Sequence, residues 1–388
     1  MPGHWLAWAR MVAQVFLGLA MGPAAWSSSA ASLVSLGPRT TLLGDGEQGL
    51  RYFPDGALAI IERTPQYRLL MATGVRTTLL CGSDMQHLHA AGAVLAPGKA
   101  GAFDNGYAGV NAIYKASANE LLAFYHAEDH EGLPRLANGI PGFYCSVGLA
   151  VSEDDGVTFR KLGPILTSSR PKNPHGPPDQ GVGELCVSPH PTDKFLYMYY
   201  TSHSRTDSRG VQICMARCPV QAARELTAWR KFHAGTFEEP GLGGRETPVL
   251  SGEAMDADAI MPHVTYCAGL GKYVMVFCIN AYREFGTAPQ RSGIYVAFSN
   301  DGRCWPKRDQ QQLLVGYTVP AQIGAEVIWH PTLVLDTDAT KRTVKGWLYY
   351  SYSESWGHKT PHKTHYLVGA PIEFQADDAD AVRSGPPR

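Results

Sequence analysis

The sequence predicts an all-β chain, a five-bladed β-propeller of four-stranded antiparallel blades around a central axis. Three observations carry this. An aromatic-rich strand recurs roughly every 65 residues, the kind of fixed period that marks a repeat architecture. The copies are LLAFYHAEDH from Leu121, KFLYMYYTSHS from Lys194, KYVMVFCINAY from Lys272 and GWLYYSYSESW from Gly346, with YRLLMATG from Tyr67 as a weaker one. A second strand and a tight Asp/Gly turn follow. No amphipathic helical pattern separates the copies, which argues for strands throughout.

The blades follow in order. Blade one runs from Gly56 to Pro97 as ALAIIER, YRLLMATG, TTLLCGSD and AGAVLAPG. Blade two starts near Asp104 with GVNAIYKA, LLAFYHAE, SVGLAVS and VTFRKLGPIL. Blade three starts near Asp179 with ELCVSP, KFLYMYYTS, GVQICMAR and WRKFHAG, and blade four near Asp256 with IMPHVTYC, KYVMVFCIN, GIYVAFS and a strand after Trp305. Blade five starts near Glu326 with HPTLVLD, GWLYYSYSES and HYLVGAPI; its missing fourth strand is expected from the N-terminal segment Thr41 to Tyr52, which would close the ring. SEDDGVTF (152–159) fits the Asp-box pattern S-x-D-x-G-x-T-F, and SNDGRCW (299–305) is a shortened relative. In each, an Asp side chain is placed to accept nearby backbone N–H groups while Gly takes positive φ, so both read as structural hairpin turns.

With 388 residues, 44% of them hydrophobic, the chain can bury a substantial core. A net charge of −1 supplies no basic field for nucleic acid or an anionic membrane. Arg10, the apolar run from Met11 to Trp26 and the small residues SSSAAS read as a signal peptide over 1–32, cleaved near residues 26–32. The mature domain is then expected over 33–376, with a polar, disordered tail at 377–388, as a monomer in a secreted or periplasmic setting and outside the membrane. Export would permit disulfides, but Cys186, Cys267 and Cys278 sit in strands, where Cys acts as a small hydrophobe. Cys214 and Cys218 have no second pair at metal-site spacing, so no cysteine metal site is expected.

Blade geometry narrows the search for a site. Residues just before a first strand and those ending a second strand meet over the axis on one face. This selects Asp104, Glu184, Asp256, Asp258, Glu326 and Trp329, and from the second strands His126, Glu128, Asp129, Ser202, His203, Asn280, Tyr282, Glu354 and Trp356. Carboxylates from different blades converging on one cleft suit glycoside hydrolysis, in which one protonates the leaving oxygen and the other activates water or attacks carbon. His126, Glu128, His203, His263, Trp329 and His330 are the expected sugar-binding rim. Several imidazoles there would also suit a structural axial metal such as calcium, although no catalytic cofactor or metal is expected.

VLAPGKAGAFDNGYAGVNAIY from Val94, DQGVGELCVS from Asp179, SGIYVAFSNDGRCW from Ser292 and WHPTLVLD from Trp329 carry a resemblance. Over residues 55–375 the chain resembles the five-bladed β-propeller glycosidases, glycoside hydrolase family 43 and its relatives among the arabinanases, fructosidases and mannoside phosphorylases. The resemblance implies an Asp base, an Asp that orients and tunes, and a Glu acid, entering at the starts of successive blades. Glu184 matches the acid. Asp104 is the preferred base, with Asp258 or Asp256 as the third carboxylate. If Asp104 instead tunes, strict order points to Asp55, although FPDGAL reads as an ordinary turn.

The expected function is hydrolysis of a furanoside or related glycan, with a carbohydrate as partner. Two alternatives stay open. A sialidase-like enzyme would need an Arg cluster, and only Arg205, Arg209 and Arg283 fall near the axial face. A glycan-binding propeller without catalysis would bind with no turnover.

Overall fold

The computed structural model describes residues 33–136, 139–204, 210–251, 258–280, 292–307, 310–317, 326–336, 343–353 and 365–375. The segments expected as a signal peptide and as a disordered tail therefore lie outside the described residues. The described chain is all-β, a succession of antiparallel sets. The first set is β3 (Ala59–Glu62), β4 (Tyr67–Thr73), β5 (Arg76–Gly82) and β6 (Leu88–Leu95), hydrogen-bonded in that order. The second is β7 (Tyr107–Lys115), β8 (Leu121–Asp129), β9 (Phe143–Ser152) and β10 (Arg160–Leu166). The third is β11 (Asp179–Pro189), β12 (Phe195–Ser202), β13 (Gln212–Pro219), β14 (Arg230–His233) and a short β15 (Thr236–Pro240). A parallel join of β11 to β9, Asp179–Gly181 against Phe143–Cys145, merges the second and third sets into one nine-stranded sheet.

The fourth set is β16 (Asp258–Cys267), β17 (Lys272–Asn280), β18 (Gly293–Ser299) and β19 (Gln312–Gly316). The last is β20 (Val327–Leu335), β21 (Thr343–Ser353) and β22 (His365–Gln375), completed on its free edge by the N-terminal strands β1 (Leu33–Leu36) and β2 (Thr40–Leu43). The N-terminal segment thus does supply this edge, from an earlier start at Leu33. The first and last described strands thus pair in one sheet, and the edge that β22 would otherwise present is covered by β1 and β2.

The aromatic and β-branched residues that flagged the second strands bury both faces of each sheet. Each neighbouring pair of sets shares a core. Leu70, Leu79, Ala123 and Tyr125 pack between the first and second sets, and Phe124, Leu149, Met198 and Trp229 between the second and third. Tyr199, Met215, Met275 and Phe277 join the third to the fourth, and Val276, Val296, Leu348 and Phe374 the fourth to the last. Tyr349 and Leu367 then pack on Phe53, Leu69 and Leu80, so the last set returns to the first. The innermost strands β3, β7, β11, β16 and β20 surround one cavity of about 310 Å³.

Both Asp-box turns are structural. Asp154 accepts the Thr158 N–H (2.9 Å) and the Thr158 hydroxyl (2.6 Å), and Ser152 Oγ accepts the Gly156 N–H (2.8 Å). Asp301 likewise accepts the N–H groups of Arg303 and Cys304, both at 2.9 Å. None of the eight cysteines is in a disulfide. No helix among the described residues is long and apolar enough to cross a membrane.

Candidate active site

The inner strands share one irregularity. Four of the five carry a register shift at mid-length: between Val110 and Ala112 in β7, Gly183 and Leu185 in β11, Ile260 and His263 in β16, and Trp329 and Thr332 in β20. Bulges re-aim a side chain where a strand would alternate. In three of them a non-glycine residue takes positive φ: Glu184 (44°), Met261 (58°) and His330 (54°). Such a backbone costs on the order of 1–3 kcal/mol and persists only when its surroundings fix it. At Glu184 the fixing group is His126, whose Nδ1 accepts the Glu184 N–H at 3.0 Å.

His126 is the hub of the site. Accepting at Nδ1 leaves the ring proton on Nε2, which contacts Glu128 Oε1 at 2.9 Å. Glu128 also holds His130, Oε2 to Nε2 at 2.6 Å. His126, Glu128 and His130 alternate along β8 and its end, so they project to one face. Burial would raise the Glu128 pKa, but the hydrogen bonds from His126 and His130 outweigh it and hold it down to about 2. Burial works against a charged His126, and the hydrogen bond and charge of Glu128, with Glu184 and Asp55 behind it, turn the balance upward. His126 therefore lies within electrostatic reach of three carboxylates.

Asp55 faces this group from the loop before β3. His330 Nε2 stands 3.3 Å from its Oδ1, and the Tyr107 hydroxyl donates to its backbone oxygen. Burial raises the Asp55 pKa; His330 opposes the rise and the charge of Glu128 adds to it. Tyr107 packs edge-on against His126, with ring centroids 5.4 Å apart. Glu184 completes the set: its Oε2 is buried and has no hydrogen-bond partner among the described residues. A buried carboxylate oxygen left without a donor is costly to keep for structure alone. Cys145 lies among Glu128, Glu184 and Asp179; burial first, then these charges, push its thiol pKa far up and keep it inert.

Among the predicted residues, the structure brings Glu184, His126, Glu128 and His330 together, with Asp55. His203 stands beside them across Phe143, whose ring meets those of His126 and His203 edge-on. Its Nδ1 is 3.3 Å from Asp179 Oδ2, and its Nε2 is buried without a partner among the described residues. Asp104 is placed elsewhere. It is buried, paired with Lys161 and bonded by the Tyr125 hydroxyl at 3.1 Å, a compensated structural charge. Tyr125 and His126 are adjacent in β8, so their side chains take opposite faces, and Asp104 lies on the face opposite His126. Asp258 Oδ1 accepts the Val211 N–H at 2.6 Å, which ties β16 to the third set. His263 lies beyond its bulge, in the cavity wall rather than with Glu184. Trp329 is buried in the core between the fourth and last sets, not open for stacking. Asp256, Arg205, Arg209, Tyr282, Arg283, Glu354 and Trp356 lie outside the described residues.

The main residue not foreseen is His130. Its signal was legible as the alternation H-x-E-x-H in HAEDH. Tyr107 and Asp179 carried no such local mark. Among the described residues no group of three or more His, Cys, Asp or Glu side chains has a metal-holding arrangement.

Comparison with solved structures adds the fold. A structure described as a BT0996 RGII complex superposes with a TM-score of 0.55 at 15% identity, covering 86% of this protein and 92% of the other. The protein shares its fold with glycoside hydrolases. One described by that name alone matches at TM-score 0.53 and 14% identity over 87% of this protein and 90% of its own length. An α-L-arabinofuranosidase from Lactobacillus brevis matches at 0.50 and 7% identity over 81% and 90%. No family model and no curated protein sequence matches.

Proposed function

We propose that this chain is an exported glycoside hydrolase acting on a furanoside or related glycan, its antiparallel sets closed as five propeller blades. The observation that carries the reading is the pairing of Glu184, with its unpartnered buried oxygen, and Asp55, held by His330, around the shared His126. The fold shared with an arabinofuranosidase supports the substrate class. In this reading Glu184 gives its proton to the leaving oxygen as the glycosidic C–O bond breaks. Asp55 takes a proton from the water whose oxygen bonds to the anomeric carbon. Burial makes Asp55 a stronger base than an ordinary carboxylate, which suits that role. Glu128 stays ionised and holds His126, and through it the backbone of Glu184. His203 and His330 offer imidazole nitrogens to sugar hydroxyls.

The test is a hydrolysis screen over aryl furanosides, aryl pyranosides and polysaccharides, with the natural chain beside Glu184→Gln. Release by the natural chain that the variant loses supports the reading. Saturable glycan binding by both, without release by either, replaces it with a binding module.

A further inference from the structure

Two neighbouring inner strands place one residue each in the same way. In β11 the bulge leaves Glu184 without a cross-strand partner, between Gly183 opposite Thr201 and Leu185 opposite Tyr200. In β7 it leaves Asn111, between Val110 opposite Tyr125 and Ala112 opposite Phe124. β7 packs against both β3 and β11. Asn111 therefore stands between the segment that carries Asp55 and the strand that carries Glu184.

Its side chain touches both. Oδ1 accepts the N–H of Leu185, the residue after Glu184, at 3.3 Å. Nδ2 lies over Gly56, the residue after Asp55, so close that a Cβ there would fall 2.1 Å from it. The missing side chain of Gly56 is what makes room. Both amides of the Glu184 bulge are thus held by side chains of the second set, the Glu184 N–H by His126 and the Leu185 N–H by Asn111. At the bulges of β7 and β16 a threonine hydroxyl suffices: Thr77 accepts the Val110 N–H and Thr201 the Met261 N–H, each at 2.9 Å. Asn111 differs from these threonines. It is 2% exposed, and its Nδ2 has no partner among the described residues. An unanswered buried amide costs stability, so capping a strand does not by itself account for it.

We propose that Asn111 is a positioning residue for Glu184: braced on Gly56, it sets how far the Glu184 carboxyl stands from Asp55. This rests on the glycosidase reading above, in which Glu184 protonates the leaving oxygen. Asp55 has supports of its own, His330 Nε2 at 3.3 Å from its Oδ1 and the Tyr107 hydroxyl on its backbone oxygen. Loss of Asn111 therefore falls on the acid and spares the base.

The test reads that asymmetry on the full chain. A dinitrophenyl leaving group departs without a proton, whereas an alkyl one needs the acid. Turnover of both glycosides of one cleaved sugar is measured for the natural chain, Asn111→Ala and Glu184→Gln, with the unfolding midpoint of each. Asn111→Ala should lose about 10–100-fold in kcat on the alkyl glycoside, with KM within about threefold, and no more than about threefold in kcat on the dinitrophenyl one. An equal loss on both, or none on either, overturns the proposal. Glu184→Gln separates the two claims. If it shows the leaving-group dependence and Asn111→Ala does not, the positioning role fails and the glycosidase reading stands. If Glu184→Gln shows none, or the natural chain cleaves neither glycoside, both fail. Should Asn111→Ala not fold, Asn111→Asp decides, because it keeps an oxygen for the Leu185 N–H. Its added carboxylate should move the alkaline limb of the kcat/KM profile up by about one pH unit, and an unmoved limb overturns the proposal.

Discussion

Asp104 and Glu184 enter from neighbouring sets, and both carboxylates are drawn away from solvent, yet their surroundings differ in kind. Asp104 is answered on the spot by the Lys161 ammonium and the Tyr125 hydroxyl. Its charge ties the first strand of its set to the last, from the ends of β7 and β10. Glu184 sits on a strained backbone, its amide held by His126 and one carboxylate oxygen left without a donor among the described residues. Asp55 stands with Glu184, its carboxylate 3.3 Å from His330 and its pKa raised by burial. Burial is common to both. What separates the two cases is whether the surroundings have already satisfied the charge.

The largest expected effect falls on the unsatisfied side. Glu184→Gln should lower kcat by about 10³-fold, with the unfolding midpoint unchanged or raised, since an amide there removes a buried carboxylate. Turnover and thermal unfolding on the same sample check it. Next is the support of Glu184. His126→Phe removes the acceptor of the Glu184 N–H and should cost roughly 10–100-fold in kcat with little change in KM, together with about 1–3 kcal/mol of stability from an unsatisfied buried donor. His126→Asn places an amide oxygen near the Nδ1 position and should recover part of kcat, which a purely steric role would not give.

Glu128 sharpens the comparison by pH. Its folded pKa is held to about 2 against an ordinary 4.5, so it stabilises the fold fully above 4.5, and that contribution is lost as pH falls toward 2. Glu128→Gln should therefore lower stability at pH 7 by about 1–3 kcal/mol and flatten the decline between pH 4.5 and 2. Urea titrations across that range read both. The smallest effect belongs to the Asp-box. Asp154→Ala removes the bonds to Thr158 and should cost about 1 kcal/mol with kcat unchanged.

Much of this was legible in the chain. The second strands β8, β12, β17 and β21 announce themselves by aromatic and β-branched runs because both of their faces are buried. SEDDGVTF fixed a hairpin because its Asp, Ser and Gly serve one local hydrogen-bond pattern. Glu184 stands out by its place between a glycine-rich stretch and an apolar strand. The sequence puts it at the start of its strand, whereas β11 begins at Asp179, because residues 179–181 add a parallel pairing to β9 that no local pattern encodes. Asp104 and Asp55 are both carboxylates in turn-like sequences. Telling them apart requires knowing that Lys161, 57 residues on, reaches the first and not the second. Charge compensation across strands is a property of the closed structure, and the alternation of Tyr125 and His126 to opposite faces decides which carboxylate it reaches.

The most direct measurement is turnover of Asp55→Asn and Asp104→Asn side by side on a substrate the natural chain cleaves, with the unfolding midpoint of each. Burial makes the folded chain hold the Asp55 proton more tightly than the unfolded chain, so that contribution favours folding at low pH and is lost as pH rises through the folded pKa. Asp55→Asn should then lose at least about 10²-fold in kcat and gain stability at pH 7. Asp104→Asn should keep kcat within about threefold and lose about 1–3 kcal/mol, as Lys161 is left without its counter-charge. The reverse, an active Asp55→Asn beside an inactive but folded Asp104→Asn, would contradict the account.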